Sequence, residues 1–209
     1  MKIFYIHGIG SAGGGNTVRM LRAHYPDFEI LSPDIPVDPI EADEFVRHIN
    51  RVEHPGIVIG TSLGGFFAMR TSGNFKILIN PAMLADTDIR HAIGLGTHPF
   101  LNPRKDGAAE YIVDEDYIAK LEQLRTHFFE DCLDWEFKYE TYALFGTEDT
   151  VVSNLDVFQK HYDKEQCFTD RFGHRLTQEV FDRSLVPLID KIVAQIHAPL
   201  PDKIKYFPF

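Results

Sequence analysis

The sequence predicts an α/β fold: a mostly parallel sheet with helices on both faces. Two observations carry this. Strand-like and helix-like segments alternate through the first eighty residues, as in chains wound around a parallel sheet. The strand-like segments Ile3-Phe4-Tyr5-Ile6, Gly56-Ile57-Val58-Ile59 and Phe75-Lys76-Ile77-Leu78-Ile79 are also short, nearly unbroken apolar runs. Such runs mark strands covered on both faces.

In chain order, the first strand opens at His7 into the glycine-rich stretch Gly8 to Gly15. Val18, Met20, Leu21 and Tyr25 then follow at helical spacing, with Asn16 as a cap and Pro26-Asp27 as a stop. Phe28 to Leu31 reads as a second strand, followed by a proline-punctuated loop from Ser32 to Pro39. From Glu41 a helix is expected, with Phe45, Val46, Ile49 and Val52 on one face. Residues 82–137 break the rhythm. They read as a cap-like insertion over the sheet, with a loop through Gly94, Gly96, Pro99 and Pro103, acids from Tyr111 to Asp116 as a solvated helix start, and a helix through Tyr117, Ile118, Leu121, Leu124 and Phe128. Strand order resumes at Thr141 to Gly146, then a helix through Leu155, Val157, Phe158 and Tyr162, and a last strand at Gln166 to Thr169. The final helix carries a strong core face from Val180 to Ile196, and Pro187 is expected to bend or restart it. The tail from Ala198 to Phe209, rich in proline and aromatics, reads as extended.

At 209 residues and 44% hydrophobic content, the chain suits one core and a single domain over 1–209. A formal charge of −10, with no Lys/Arg stripe, argues against nucleic acid as a partner. Cys132 and Cys167 lack metal or redox spacing and read as thiols in a reducing compartment. No run approaches spanning length and no signal-like segment stands at the start, so no membrane association and a cytoplasmic location are expected.

The chemistry centres on Gly60-Thr61-Ser62-Leu63-Gly64-Gly65. G-x-S-x-G between a buried strand and a helix places a serine on a sharp turn, the nucleophile elbow. Three positions alone are a weak signal, so the neighbours decide. Ser62 needs a base within reach and an acid to orient that base. In hydrolases built on this elbow the acid and then the histidine follow the serine. That order leaves His161, His174 and His197. His161 falls inside an amphipathic helix and His197 at a helix end, whereas His174 follows a strand beside Gly173, so His174 is the expected base. The turn Gly146-Thr147-Glu148-Asp149-Thr150-Val151-Val152 supplies the acid. Asp149 is chosen over Glu148, which lies one residue early and faces solvent. The backbone amides of Leu63 and Ile9 are expected to hold the oxyanion, with His7 shaping the loop.

Gly8-Ile9-Gly10-Ser11-Ala12-Gly13 also fits a dinucleotide fingerprint. Gly14 and Gly15 postpone the helix that should meet a pyrophosphate, and no acid stands clearly at the end of a second strand. No cofactor is therefore expected. The spacings of His91 with His98, and of His127 with Asp131 or Asp134, make no recognised zinc set, so no metal is expected either.

Together the strand ending Ile6-His7-Gly8, the Ser62-Leu63-Gly64-Gly65 elbow, Asn80-Pro81-Ala82, the Thr147-to-Val151 turn and Gly173-His174 resemble the YqiA-type esterases, small bacterial α/β-hydrolases. The resemblance covers nearly the whole chain. It implies an α/β-hydrolase fold with a modest cap, and hydrolysis of a small-molecule acyl ester or thioester through Ser62, Asp149 and His174. The competing expectation is a catalytically silent, hydrolase-like binding protein.

Overall fold

The computed structural model describes residues 1–126, 128 and 140–198. Cys132, the His127–Asp131–Asp134 spacing and the tail beyond Ala198 lie outside these residues. Among them, the strands β1 (Lys2–Ile6), β2 (Glu29–Leu31), β3 (Ile57–Thr61), β4 (Phe75–Ile79), β7 (Thr141–Gly146) and β8 (Cys167–Asp170) form one sheet. Their order is β2-β1-β3-β4-β7-β8, and every neighbouring pair is parallel. A separate antiparallel pair, β5 (Gly96–Pro99) and β6 (Glu110–Val113), lies within the insertion.

Alternation along the strands divides the core into two layers. Ile3, Tyr5, Ile57, Ile59, Ile77, Ile79, Tyr142 and Leu144 face one side, where α1 (Asn16–His24) and α8 (Val186–His197) cover them. Phe4, Ile6, Val58, Leu78, Ala143 and Phe145 face the other, against α2 (Pro39–Glu53), α3 (Leu63–Met69) and the insertion. Burying each large side chain contributes about 1.5–3 kcal/mol relative to exposure. This double covering explains why the strands read as unbroken apolar runs.

α2 starts earlier than its apolar pattern suggests. Asp38 caps it, accepting from the amides of Ile40 at 2.9 Å and Glu41 at 3.2 Å, and Pro39 occupies the first turn, where a missing N–H costs nothing. Pro39 therefore begins a helix instead of closing a loop. Val52, expected on the buried face, is 56% exposed.

The insertion differs more. After α4 (Ala85–Ala92), residues expected as a loop and a solvated helix start form the β5–β6 hairpin, with Thr97 opposite Ile112 and His98 opposite Tyr111. Tyr111 and Val113 point inward and Glu110 and Ile112 outward. α5 (Glu115–Arg125) follows, capped by Asp114. α6 (Leu155–His161) then precedes β8.

The C-terminal helical run begins with α7 (Gln178–Val180), loosens into a π-helical turn at Phe181–Leu185, and continues as α8 with Pro187 in its first turn. The expected restart at Pro187 is met by this widened turn, which spares the carbonyls ahead of the proline.

Candidate active site

The order β2-β1-β3 reverses direction at β1. The loops leaving the carboxyl ends of β1 and β3 therefore diverge and open a crevice, the usual ligand position in an open α/β sheet. Ser62 sits there, between β3 and α3, with φ 56° and ψ −122°. A non-glycine residue at positive φ is strained and survives only where the surroundings fix it. Four bonds do so: the Ser62 amide donates to the Ile79 carbonyl at 3.0 Å, and the Ser62 carbonyl accepts from the amides of Gly65 at 2.9 Å, Phe66 at 3.3 Å and Ala82 at 3.0 Å.

Glycines make the turn possible. A Cβ on Gly64 would lie 2.2 Å from the Ile6 carbonyl oxygen, and one on Gly60 would lie 2.2 Å from that of Gly64. The elbow is thus pressed against the end of β1.

Asp149 and His174 come together at the ends of β7 and β8. His174 Nδ1 is 2.8 Å from Asp149 Oδ2, and the aspartate side chain is only 2% exposed. Its other oxygen accepts from the amides of Val151 at 2.8 Å and Val152 at 3.2 Å. Burial pushes the Asp149 carboxyl up, but the His174 hydrogen bond and the two amides outweigh it and hold the group below the ordinary carboxylate range. A buried, ionised acceptor fixes the ring and leaves Nε2 as the nitrogen available to a substrate-side proton. Glu148 turns outward and pairs with Arg171 at 2.6 Å.

A depressed folded value contributes stability that is complete above the unfolded value, roughly 3.9 for a free aspartate, and is lost as pH falls through the folded one. Thermal melts below about pH 4 should therefore lose stability more steeply in the wild type than in Asp149→Asn. Glu148→Gln should keep the wild-type acid limb, and an identical limb in Asp149→Asn would contradict the assignment.

The sequence pattern alone gave Asn80 no role beyond ending β4. Its backbone is at φ 43°, its Oδ1 accepts from the Gly146 amide at 2.7 Å, and its Nδ2 donates to the carbonyls of Gly173 at 3.1 Å and His174 at 3.4 Å. Residues 79–82 thus tie Ser62 on one side to the Asp149 and His174 loops on the other. An Asn-Pro pair directly after a buried strand was the available signal, since asparagine tolerates left-handed backbone.

The loop after β1 faces the elbow: a Cβ on Gly8 would lie 3.2 Å from Ser62 Cβ. The amides of Ile9 and Leu63 have no turn, loop or side-chain acceptor among the described residues. His7 is 7% exposed, receives the Ile35 amide on Nε2 at 3.1 Å, and places Nδ1 2.9 Å from the Gly8 carbonyl. That pattern puts its proton on Nδ1 and occupies both nitrogens. Burial lowers its pKa, with the Gly8 bond opposing. Gly13 is required by packing, since a Cβ there would lie 2.2 Å from the Ser32 carbonyl oxygen, and its amide donates to Asp34 at 2.7 Å. No group of three or more His, Cys, Asp or Glu is arranged for a metal among the described residues. None of their helices is long and apolar enough to cross a membrane.

A family profile described as Uncharacterised protein family (UPF0227) matches residues 2–190. The chain belongs to this family. It is the YqiA-type family that the motifs resemble. Solved structures share the fold. A monoacylglycerol lipase from Paleococcus ferrophilus aligns with TM-score 0.63 at 12% identity, covering 92% of this chain and 94% of its own. Mouse alpha/beta hydrolase domain-containing protein 10 gives 0.64 at 16%, covering 93% and 90%, and Est1E from Butyrivibrio proteoclasticus gives 0.63 at 16%, covering 92% and 88%. The architecture of this family member is the α/β-hydrolase fold, a mostly parallel sheet with helices around it.

Proposed function

We propose that the chain is a serine hydrolase that cleaves carboxylic ester or thioester bonds through Ser62, His174 and Asp149. The observation that carries this reading is the His174–Asp149 pair at 2.8 Å, its carboxylate buried, at the same carboxyl end of the sheet as a serine held at positive φ. A structural histidine needs no buried ionised partner beside an elbow of this kind. The hydrolase names among its fold neighbours accord with the reading.

In this mechanism Ser62 Oγ attacks the acyl carbonyl and His174 Nε2 takes the hydroxyl proton. The amides of Ile9 and Leu63 receive the developing oxyanion, and α3 begins at Leu63, so its first-turn amides point the same way. Collapse expels the alcohol or thiol, which leaves with the proton from His174. Water, deprotonated by the same ring, then releases the acid and regenerates Ser62.

A fluorophosphonate probe tests this directly, because only an activated serine displaces its leaving group. Covalent labelling of the wild type at Ser62, absent in His174→Ala, is expected. An intact protein that stays unlabelled would instead support a silent binding protein on the same fold.

A further inference from the structure

The cleft beside the elbow is walled by Ile9, Ile35, Val37, Phe67 and Phe100, and two phenols enter it from the insertion. Tyr111 comes from β6 and Tyr117 from α5, and each is 7% exposed. Neither hydroxyl has a hydrogen-bond partner among the described residues; Tyr117 engages only through its backbone amide, which Asp114 caps at 2.8 Å. The Tyr111 hydroxyl abuts the loop after β1, 2.9 Å from where a Cβ on Gly10 would stand. Neither oxygen is among the buried side-chain atoms left without a partner, so each hydroxyl opens onto the cleft and not into the packed interior. Two in one cleft, against the loop that carries the Ile9 amide, are donors awaiting an acceptor.

The charges in the cleft say which acceptor. Arg104 is the lining residue with a fixed positive charge, and it is already engaged: Nη2 meets Asp106 at 2.7 Å, Nη1 meets the Ile35 carbonyl at 3.0 Å, and the guanidinium lies 4.8 Å over the Phe100 ring. His7 has both nitrogens occupied. The Asp34 and Asp38 carboxylates nearby are engaged too: Asp34 accepts from the Gly13 amide at 2.7 Å and the Lys105 amide at 2.6 Å, and Asp38 pairs with Lys120 at 2.7 Å. A carboxylate entering here would find both nearby cations, Arg104 and Lys120, already paired with aspartates.

We propose that this cleft takes an acyl group bearing a neutral acceptor oxygen, keto or hydroxyl, and that the Tyr111 and Tyr117 hydroxyls select it over an unsubstituted alkyl acyl group. The word acyl rests on the ester-hydrolase reading; the hydrogen-bonding subsite does not. Both phenols donate, and the ligand oxygen accepts from hydroxyls that the protein leaves turned to the cleft.

The test uses three esters of similar size: methyl pentanoate, methyl 4-oxopentanoate and monomethyl succinate. Calorimetric affinities are measured on Ser62→Ala, which binds without turnover, and kcat/KM on the wild type. The oxo ester should bind about tenfold more tightly than the alkyl ester, the worth of one good hydrogen bond. With Tyr111→Phe and Tyr117→Phe combined, that ratio should fall to within about twofold of unity while Tm holds, since neither hydroxyl bonds to the described protein. Equal affinities in Ser62→Ala, an unchanged ratio in the double phenylalanine variant, or tightest binding of monomethyl succinate would each overturn the proposal. A lowered Tm with the ratio unchanged would mark the phenols as structural and overturn it equally. Preferential binding of the oxo ester without hydrolysis by the wild type would break the hydrolase reading and leave the subsite standing; hydrolysis without preference would do the reverse.

Discussion

Ser62→Ala should leave a folded protein whose kcat on p-nitrophenyl butyrate falls by about four to six orders of magnitude. The size follows from the role. Removing the nucleophile removes the acyl-enzyme route entirely, leaving only the oxyanion amides and binding to act on water. His174→Ala should lose nearly as much, and combining it with Ser62→Ala should add little, because the two act as a unit. Asp149→Asn should lose about four orders by favouring the wrong ring tautomer, whereas Glu148→Gln should stay within twofold or so, its partner being the exposed Arg171. Circular dichroism shows whether each variant is folded. Retention of more than a few percent of the rate in folded Ser62→Ala, or greater damage from Glu148→Gln than from Asp149→Asn, would refute the assignment.

Gly64→Ala should be among the most damaging single-methyl changes to stability. The added Cβ meets backbone, the Ile6 carbonyl oxygen at 2.2 Å and that of His7 at 2.6 Å, so no side chain can swing aside. Helix α3 must then lift from the end of β1, and the cost should reach about 3 kcal/mol or more, a fall in Tm of about 6–12 °C for a chain of this size. Gly14→Ala is the control: Gly14 is exposed, has nothing within 4 Å of an added Cβ, and should melt like the wild type. Equal melting temperatures for the two variants would show that the elbow yields more readily than its packing implies.

Much of this was readable from residue order. The parallel sheet announced itself because strands buried on both faces must be apolar throughout, and Asp149 and His174 because each stands in a short turn after such a strand. The hairpin was harder to read. β5 and β6 have four residues each, and Gly96 and Pro99 are common in loops, so Tyr111 looked like part of a solvated helix start when its ring in fact lies inside the cleft. Pairing across the hairpin decides this, and pairing has no local period. α2 hid its first turn because Pro39 signals a break everywhere except at a helix start. Asn80 was visible as part of a family motif after a strand but not in its role, since its hydrogen bonds run to residues far along the chain.

The segment Ile79 to Ala82 has a consequence for the precision of the site. Ser62 is bonded to it at both its amide and its carbonyl, while the Asn80 side chain holds the Gly146 amide and the carbonyls of Gly173 and His174. The serine and the histidine, 112 positions apart in the sequence numbering, are thus both surveyed from one benchmark. A shift of the end of β4 carries nucleophile and base in the same direction, as a common-mode displacement, and their separation is spared. Only motion that breaks the bonds to this short segment can change it.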